Sequence, residues 1–97
     1  MNSYLLSPAA QADLEQIWDY TFTNWGTEQA ERYLHELRHA IESVAANPLI
    51  GRTCDEIRAG YRKLAAGSHV LFYRVTETGD LDVVRILHQR MDVDRHL

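Results

Sequence analysis

The chain has 97 residues, of which 45% are hydrophobic and 25% are charged, and its formal net charge is −4. This length allows one domain with one modest core, so residues 1–97 are treated as a single domain. The acidic balance argues against direct nucleic-acid binding by the chain alone. No apolar run predicts a membrane span, and the N-terminus does not resemble a signal peptide, so a cytoplasmic location is expected.

The first half of the sequence predicts one strand and two helices. Residues 4–6 form a short apolar run, and Ser7-Pro8 is a typical helix start, with serine as the cap and proline in the first turn. Apolar residues then recur at helical spacing over residues 10–25 and again over residues 30–45. Gly26 separates the two runs, which predicts an antiparallel helical hairpin.

The second half changes to a β-strand pattern. Three β-rich runs are separated by turn residues, at residues 61–64, 69–75 and 81–87. Gly79 suits a tight hairpin turn, and this turn places Arg74 opposite Asp82, a favourable cross-strand pair. The prediction is an α+β fold with an N-terminal strand, an antiparallel helical hairpin and a three-stranded antiparallel meander.

Residues 35–39 read "HELRH", the H-E-x-x-H pattern of zinc peptidases. Catalytic zinc needs both imidazoles directed into a walled cleft, together with a third ligand. Helical geometry instead places His35 and His39 away from the apolar stripe, on the solvent face. We therefore predict no metal site and expect no cofactor.

The predicted register puts apolar residues on both faces of the meander. One face has Phe72 opposite Val84 and Val70 opposite Ile86. The other face collects Arg62, Leu64, His69, Leu71, Tyr73, Val75, Leu81, Val83, Arg85 and Leu87. One helical hairpin covers only one face, so this second face is predicted to be an apolar patch that a partner protein covers. The alternative is that loop 48–60 and the C-terminal tail fold back over it.

The order of elements, together with "IRAGYRKL", "GSHVLFYRV" and "DVVRILHQRMD", resembles ParE-type toxins of the RelE/ParE toxin–antitoxin superfamily. This resemblance extends from "LSP" at residues 6–8 to Asp92. It implies a RelE/ParE-like fold and a bacterial toxin that is neutralised by a cognate antitoxin. The expected complex is a hetero-oligomer, with a heterotetramer as one candidate stoichiometry.

The superfamily has two activities, and the resemblance leaves a choice between them. ParE-like members poison DNA gyrase, which blocks replication, whereas RelE-like members cut ribosome-bound mRNA. The alternative of a ribosome-dependent endonuclease would use Arg62 and Arg85 on phosphate and His88 as the base. The acidic tail and the incomplete acid–base set favour the gyrase poison, without catalysis of its own. A third hypothesis is a non-toxic module that only sequesters antitoxin.

Two sets of contact residues are predicted on this basis. The expected gyrase contacts are Arg58, Arg62, Lys63, Arg85, His88, Gln89, Arg90 and Met91. The expected antitoxin contacts are Trp18, Trp25, Leu71, Tyr73 and Val83. Plainer roles stay open for some of them: Arg85 could pair with an acid at residues 55–56, and the two tryptophans could belong to the core.

Overall fold

The computed structural model describes residues 3–97 and contains one five-stranded sheet with two long helices on one face. The elements are β1 (Tyr4–Leu6), α1 (Pro8–Trp25), α2 (Thr27–Ala46), a 3₁₀ turn (Pro48–Ile50), β2 (Arg52–Thr53), β3 (Arg62–Ala66), β4 (His69–Val75), β5 (Leu81–His88) and α3 (Val93–His96). The predicted α+β fold class is confirmed. The short elements β2 and α3 were not predicted.

The strand order in the sheet is β1-β5-β4-β3-β2. β1 is parallel to β5, and the other neighbours are antiparallel. The β4–β5 turn forms as predicted: Gly79 has φ +87°, and the Thr76 amide donates to the Asp80 carbonyl at 2.8 Å. The predicted pair also forms, with Arg74 Nε 3.2 Å from Asp82 Oδ2.

A bulge at Val84 interrupts the β4–β5 pairing and changes the predicted register. Tyr73 lies opposite Val83, but Phe72 lies opposite Arg85, so Val84 has no cross-strand partner. The amide and hydroxyl of Ser7 donate to the Val83 and Val84 carbonyls, at 3.0 and 2.6 Å. These bonds join the bulge to the start of α1.

The bulge exchanges the faces of the residues that follow it, because one extra residue reverses the side-chain alternation. The predicted pairs Phe72–Val84 and Val70–Ile86 are therefore wrong. Val70 lies opposite Leu87 instead, and Ile86 joins the helix-covered side of the sheet. A bulge of this kind has no reliable signal in a run of apolar residues such as "LDVVRIL".

The main core lies between the helices and the sheet, on the face that was predicted to be uncovered. Leu71, Tyr73 and Val83 are fully buried in this core, where they pack with α-helical residues such as Leu37 and Ile41. Their side chains are inaccessible to a partner. The prediction that these three residues form an exposed antitoxin surface is therefore wrong.

The opposite face of the sheet is covered by the chain itself. Phe72 and Leu87 are buried there with Cys54, whose thiol has a pKa raised by burial. Partly buried residues pack over them from the segment before β3 and from the C-terminal tail: Ile57, Tyr61, Val93 and Leu97. The predicted bare apolar face does not exist, and the alternative of a covering loop and tail is what the structure shows.

The Tyr73 hydroxyl fixes the segment that follows α2. It donates to the Pro48 carbonyl at 2.5 Å and accepts from the Gly51 amide at 3.0 Å. Arg62 Nη1 donates to the Gly51 carbonyl at 2.7 Å. A Cβ atom at position 51 would clash with the tyrosine ring, so glycine allows this close approach. Burial raises the pKa of Tyr73, which keeps the donating proton in place.

Replacing Tyr73 with phenylalanine tests this anchor. The substitution keeps the ring but leaves the Gly51 amide and the Pro48 carbonyl without their partner, so we expect a loss of about 1–3 kcal/mol in the free energy of unfolding. Urea denaturation measures it. Tyr20→Phe is the matched control, because Tyr20 is 64% exposed. Equal stabilities of the two variants would contradict the anchoring role.

Candidate protein-binding site

A buried carboxylate joins α1 to the sheet. Asp13, only 8% exposed, accepts hydrogen bonds from Arg85 Nε and Nη2, both at 2.8 Å, and from the Ile86 amide at 2.9 Å. The two guanidinium contacts form a bidentate pair, the strongest geometry for such an interaction. These hydrogen bonds raise the pKa of Arg85. The Asp13–Arg85 pair therefore fixes the helical hairpin against β5.

The location of this pair follows from the length of β1. β1 pairs with β5 only as far as Val83, so the edge of β5 is open beyond that point. α1 runs past this open edge, and Asp13 satisfies the Ile86 amide that no strand reaches. Arg85 Nη1 also donates to the His96 carbonyl at 3.0 Å, which holds the C-terminal tail. The proposed pairing of Arg85 with an acid at residues 55–56 is wrong.

A groove of about 510 Å³ opens beside this pair, between the helical hairpin and the ends of β4 and β5. We call it the aromatic groove, after its residues Tyr20, Trp25, Tyr33, His69, His88 and Met91. Tyr20 and Trp25 meet edge to face, with ring centroids 5.9 Å apart. They are 64% and 63% exposed, and Met91 is 44% exposed. Trp25 is thus an exposed residue and not a core residue.

The floor of the aromatic groove is polar. The Tyr33 hydroxyl lies 2.6 Å from His69 Nδ1 and accepts from the Ser68 amide at 2.9 Å. His69 and His88 are cross-strand neighbours whose rings meet edge to face at 5.3 Å. Burial, and then the neighbouring His88, lower the pKa of His69. The floor therefore carries hydrogen-bonding groups, with Asp13 already paired.

Trp18 lies on a second, smaller groove on the other flank of the hairpin. This groove of about 320 Å³ has Leu14, Trp18 and Leu34 among its lining residues. Trp18 is half-buried and stacks on Phe22, with ring centroids 6.4 Å apart. The two tryptophans, both predicted as antitoxin contacts, therefore line two different grooves.

The H-E-x-x-H pattern lies on the solvent side of α2, as predicted. His35 and His39 are both exposed. His35 lies at the rim of the smaller groove. Among residues 3–97, no three His, Cys, Asp or Glu side chains are close enough together to hold a metal ion. No helix in that range is long and apolar enough to cross a membrane.

The predicted gyrase contacts fall into two groups along the sheet. Arg62 lies opposite Tyr73, whereas His88 lies opposite His69, four residues away along β4. Four residues of strand span about 13 Å. Arg58 and Lys63 belong to the Arg62 end, where the Arg62 guanidinium is bonded to the Gly51 carbonyl. Gln89, Arg90 and Met91 follow His88 in an exposed turn beside the aromatic groove.

The same separation applies to the residues suggested for RNA cleavage. Arg62 and His88 lie at opposite ends of the sheet, and Arg85 is engaged by Asp13. The structure therefore does not bring Arg62, Arg85 and His88 together around one substrate position.

Asp13 was missed by the sequence interpretation, although its spacing carried a signal. It lies three residues after Ala10 and four before Ile17, within the apolar stripe of α1. An acid at such a position is buried and needs a partner. Its partner, 72 positions later in the chain, was not apparent from spacing alone.

The fold is shared with a solved structure described as the chromosomal ParDE TA system from P. aeruginosa. The match covers 91% of this chain and 96% of that chain, with a TM-score of 0.78 and 21% sequence identity. The family model described as "ParE toxin of type II toxin-antitoxin system, parDE" matches residues 4–93. The chain belongs to this ParE toxin family.

Curated relatives agree with this assignment over nearly their full lengths. The chain is 73% identical to Toxin ParE1 of Mycobacterium tuberculosis (strain H37Rv), over 97% of this chain and 96% of the relative. It is 46% identical to Toxin ParE1 of Caulobacter vibrioides, over 100% and 99%. Toxin ParE of Escherichia coli is 33% identical, over 96% and 90%.

Replacing Asp13 with asparagine tests the buried pair. The variant leaves the Arg85 guanidinium in a partly buried place without a counter-charge, so we expect a loss of about 3 kcal/mol in the free energy of unfolding. The control is Asp82→Asn, which breaks the exposed pair with Arg74 and should cost less than about 1 kcal/mol. Thermal denaturation compares the two. Similar losses would show that Asp13 has no special role.

Proposed function

We propose that this chain is the toxin of a type II toxin–antitoxin pair, which inhibits DNA gyrase, blocks replication and thereby arrests growth. Its cognate antitoxin neutralises it by forming a hetero-oligomer, and such a pair serves plasmid stabilisation. The observation that carries the choice of gyrase is the hydrogen bonding of the two arginines that RNA cleavage would require. Arg62 and Arg85 are both engaged within the chain, which supports action on a protein surface over cleavage of a phosphodiester.

The turn after β5 is the gyrase contact that the geometry favours. The Met91 amide donates to the His88 carbonyl at 2.9 Å, and the Arg90 amide donates to His88 Nδ1 at 3.1 Å. These bonds order the turn, while Gln89 and Arg90 remain exposed. An ordered, exposed turn loses little conformational entropy on binding. Lys63 and Arg58 remain proposed as a second, separate contact.

Purified gyrase provides the test of this target. We expect the chain to inhibit supercoiling and to trap the cleaved gyrase–DNA complex, and Arg90→Ala to weaken inhibition about tenfold by removing one exposed charged contact. Arg32→Ala, an exposed arginine of α2, is the control and should act like the unmodified chain.

Two results would contradict the gyrase proposal. One is the absence of any effect on supercoiling or cleavage by the folded chain. The other is cutting of transcripts in a translation extract that is lost in His88→Ala, which would favour the endonuclease alternative.

The aromatic groove is the proposed docking site for an apolar segment of the antitoxin. Trp25, Tyr20 and Met91 offer exposed apolar surface at its rim, and its floor has hydrogen-bonding groups. Large aromatic residues in such positions are typical anchors of an interface. An amphipathic helix laid in a groove uses this type of surface.

Trp25→Ala tests the groove. Because Trp25 is 63% exposed, stability should change little, whereas loss of an anchor should weaken antitoxin binding about 30-fold, equivalent to about 2 kcal/mol. Calorimetric titration with the antitoxin encoded beside the gene measures this. Leu49→Ala is the control, since Leu49 is 72% exposed and lies outside both grooves. Unchanged affinity for Trp25→Ala would remove the groove from the proposal.

A further inference from the structure

The end of β5 places a hydrogen-bond donor on the floor of the aromatic groove. His88 is the last residue of β5, and it lines this groove. The Arg90 amide donates to His88 Nδ1 at 3.1 Å. Because an amide N–H group can only donate, Nδ1 is the acceptor, and the imidazole carries its proton on Nε2. His88 Nε2 is therefore an N–H donor whose position is fixed by the turn after β5.

This donor is unpartnered in the free chain. Within residues 3–97, the side-chain hydrogen bond of His88 is the one at Nδ1, and Nε2 has no partner. In the same range, no buried side-chain nitrogen or oxygen atom lacks a hydrogen-bond partner. His88 is half-buried, so its unpartnered Nε2 must be reached by solvent. The groove thus offers a donor that a bound segment can satisfy.

His69 adds a second ring edge from the neighbouring strand. It lies directly opposite His88, with the ring centroids 5.3 Å apart. Its Nδ1 is held by the Tyr33 hydroxyl, and its Nε2 has no partner in the part of the chain that the structure describes. The two imidazoles therefore form one polar spot at the base of the groove.

The charges around this spot favour a negatively charged acceptor. Asp13 is the acidic residue of the groove wall, and it is already paired with Arg85. Arg90, two residues after His88, is exposed, and none of the salt bridges among residues 3–97 includes it. A carboxylate placed at His88 Nε2 would meet a donor and nearby positive charge, and no unpaired acid of the wall.

We propose that the aromatic groove selects an antitoxin segment with an aspartate or glutamate between apolar residues, and that His88 Nε2 binds this carboxylate. The inference rests on the proposed docking of the antitoxin in this groove, and it adds the polar part of the recognition. The apolar residues of the segment pack on Tyr20, Trp25 and Met91.

The polar contact contributes specificity as well as affinity. A segment with an apolar residue at this point would bury the Nε2–H group without a partner and would lose affinity. A lysine or arginine there would place a second donor against His88 and a like charge beside Arg90. The groove therefore disfavours both classes of side chain.

Two substitutions separate the two ring nitrogens of His88. In His88→Asn the amide oxygen takes the place of Nδ1 and keeps the bond from the Arg90 amide, but the donor is lost. In His88→Gln the amide nitrogen takes the place of Nε2 and keeps the donor. We expect His88→Asn to weaken antitoxin binding about tenfold, and His88→Gln to stay within about threefold of the unmodified chain.

Calorimetric titration with the antitoxin encoded beside the gene measures both affinities. His39→Asn is the control, because His39 is exposed on α2 and lies outside both grooves, so its affinity should be unchanged.

A double-mutant cycle identifies the partner group. Each aspartate and glutamate of the antitoxin segment is replaced in turn with alanine, and the affinities for the unmodified chain and for His88→Asn are compared. One of these replacements should weaken binding to the unmodified chain about tenfold and have little further effect on binding to His88→Asn.

Two results would overturn the inference. One is equal affinity of the unmodified chain and folded His88→Asn, and the other is an antitoxin in which no acid couples to His88. If His88→Asn fails to fold, NMR of the unmodified chain decides. The His88 Nε2 proton should become protected from exchange with water when the antitoxin binds, and a proton that stays in fast exchange contradicts the inference.

Trp25→Ala separates this inference from the docking proposal. Binding that is weakened by Trp25→Ala but unchanged in His88→Asn would remove only the carboxylate contact. Binding that is unchanged in both variants would remove the groove as the docking site.

Discussion

The whole arrangement depends on one buried carboxylate at the open edge of β5. Asp13 neutralises Arg85 and satisfies the Ile86 amide where β1 ends, and Arg85 in turn holds the carbonyl of His96. One ion pair therefore joins the helical hairpin, the edge of the sheet and the C-terminal tail. Removing either partner of such a buried pair leaves an uncompensated charge, so the pair specifies the position of all three elements.

The Asp13–Arg85 pair bears on function because it determines which side chains are available to contact a partner. Arg85 is paired with Asp13, and one N–H group of Arg62 is bonded to the Gly51 carbonyl, so both cations are engaged within the chain. What remains exposed beside the pair is the aromatic groove and the ordered turn after β5. Both are the surfaces that we propose for protein contact, and the chain belongs to the ParE toxin family.

Local signals in the sequence predicted the elements and the fold class, and tertiary pairing determined the rest. The Ser7-Pro8 start, the helical stripes and the Gly79 turn each depend on nearby residues, so they could be recognised. The faces of Arg85, Ile86 and Leu87 could not, because the bulge at Val84 is bonded to Ser7, 77 positions away. Leu71, Tyr73 and Val83 share one face as predicted, but the helices cover that face, so their predicted role was wrong. For the candidate site, Trp25 and residues 88–91 were named as contact residues from the sequence, whereas the Asp13–Arg85 pair required the folded chain.

A double-mutant cycle at Asp13 and Arg85 tests the central claim most directly. The cycle compares the free energy of unfolding of Asp13→Asn, Arg85→Gln and the double variant. If the two residues act as one buried unit, the double variant should lose about as much stability as either single variant, with a coupling energy of about 2–3 kcal/mol. Losses that add to within about 0.5 kcal/mol would show that the residues act independently and would contradict this account.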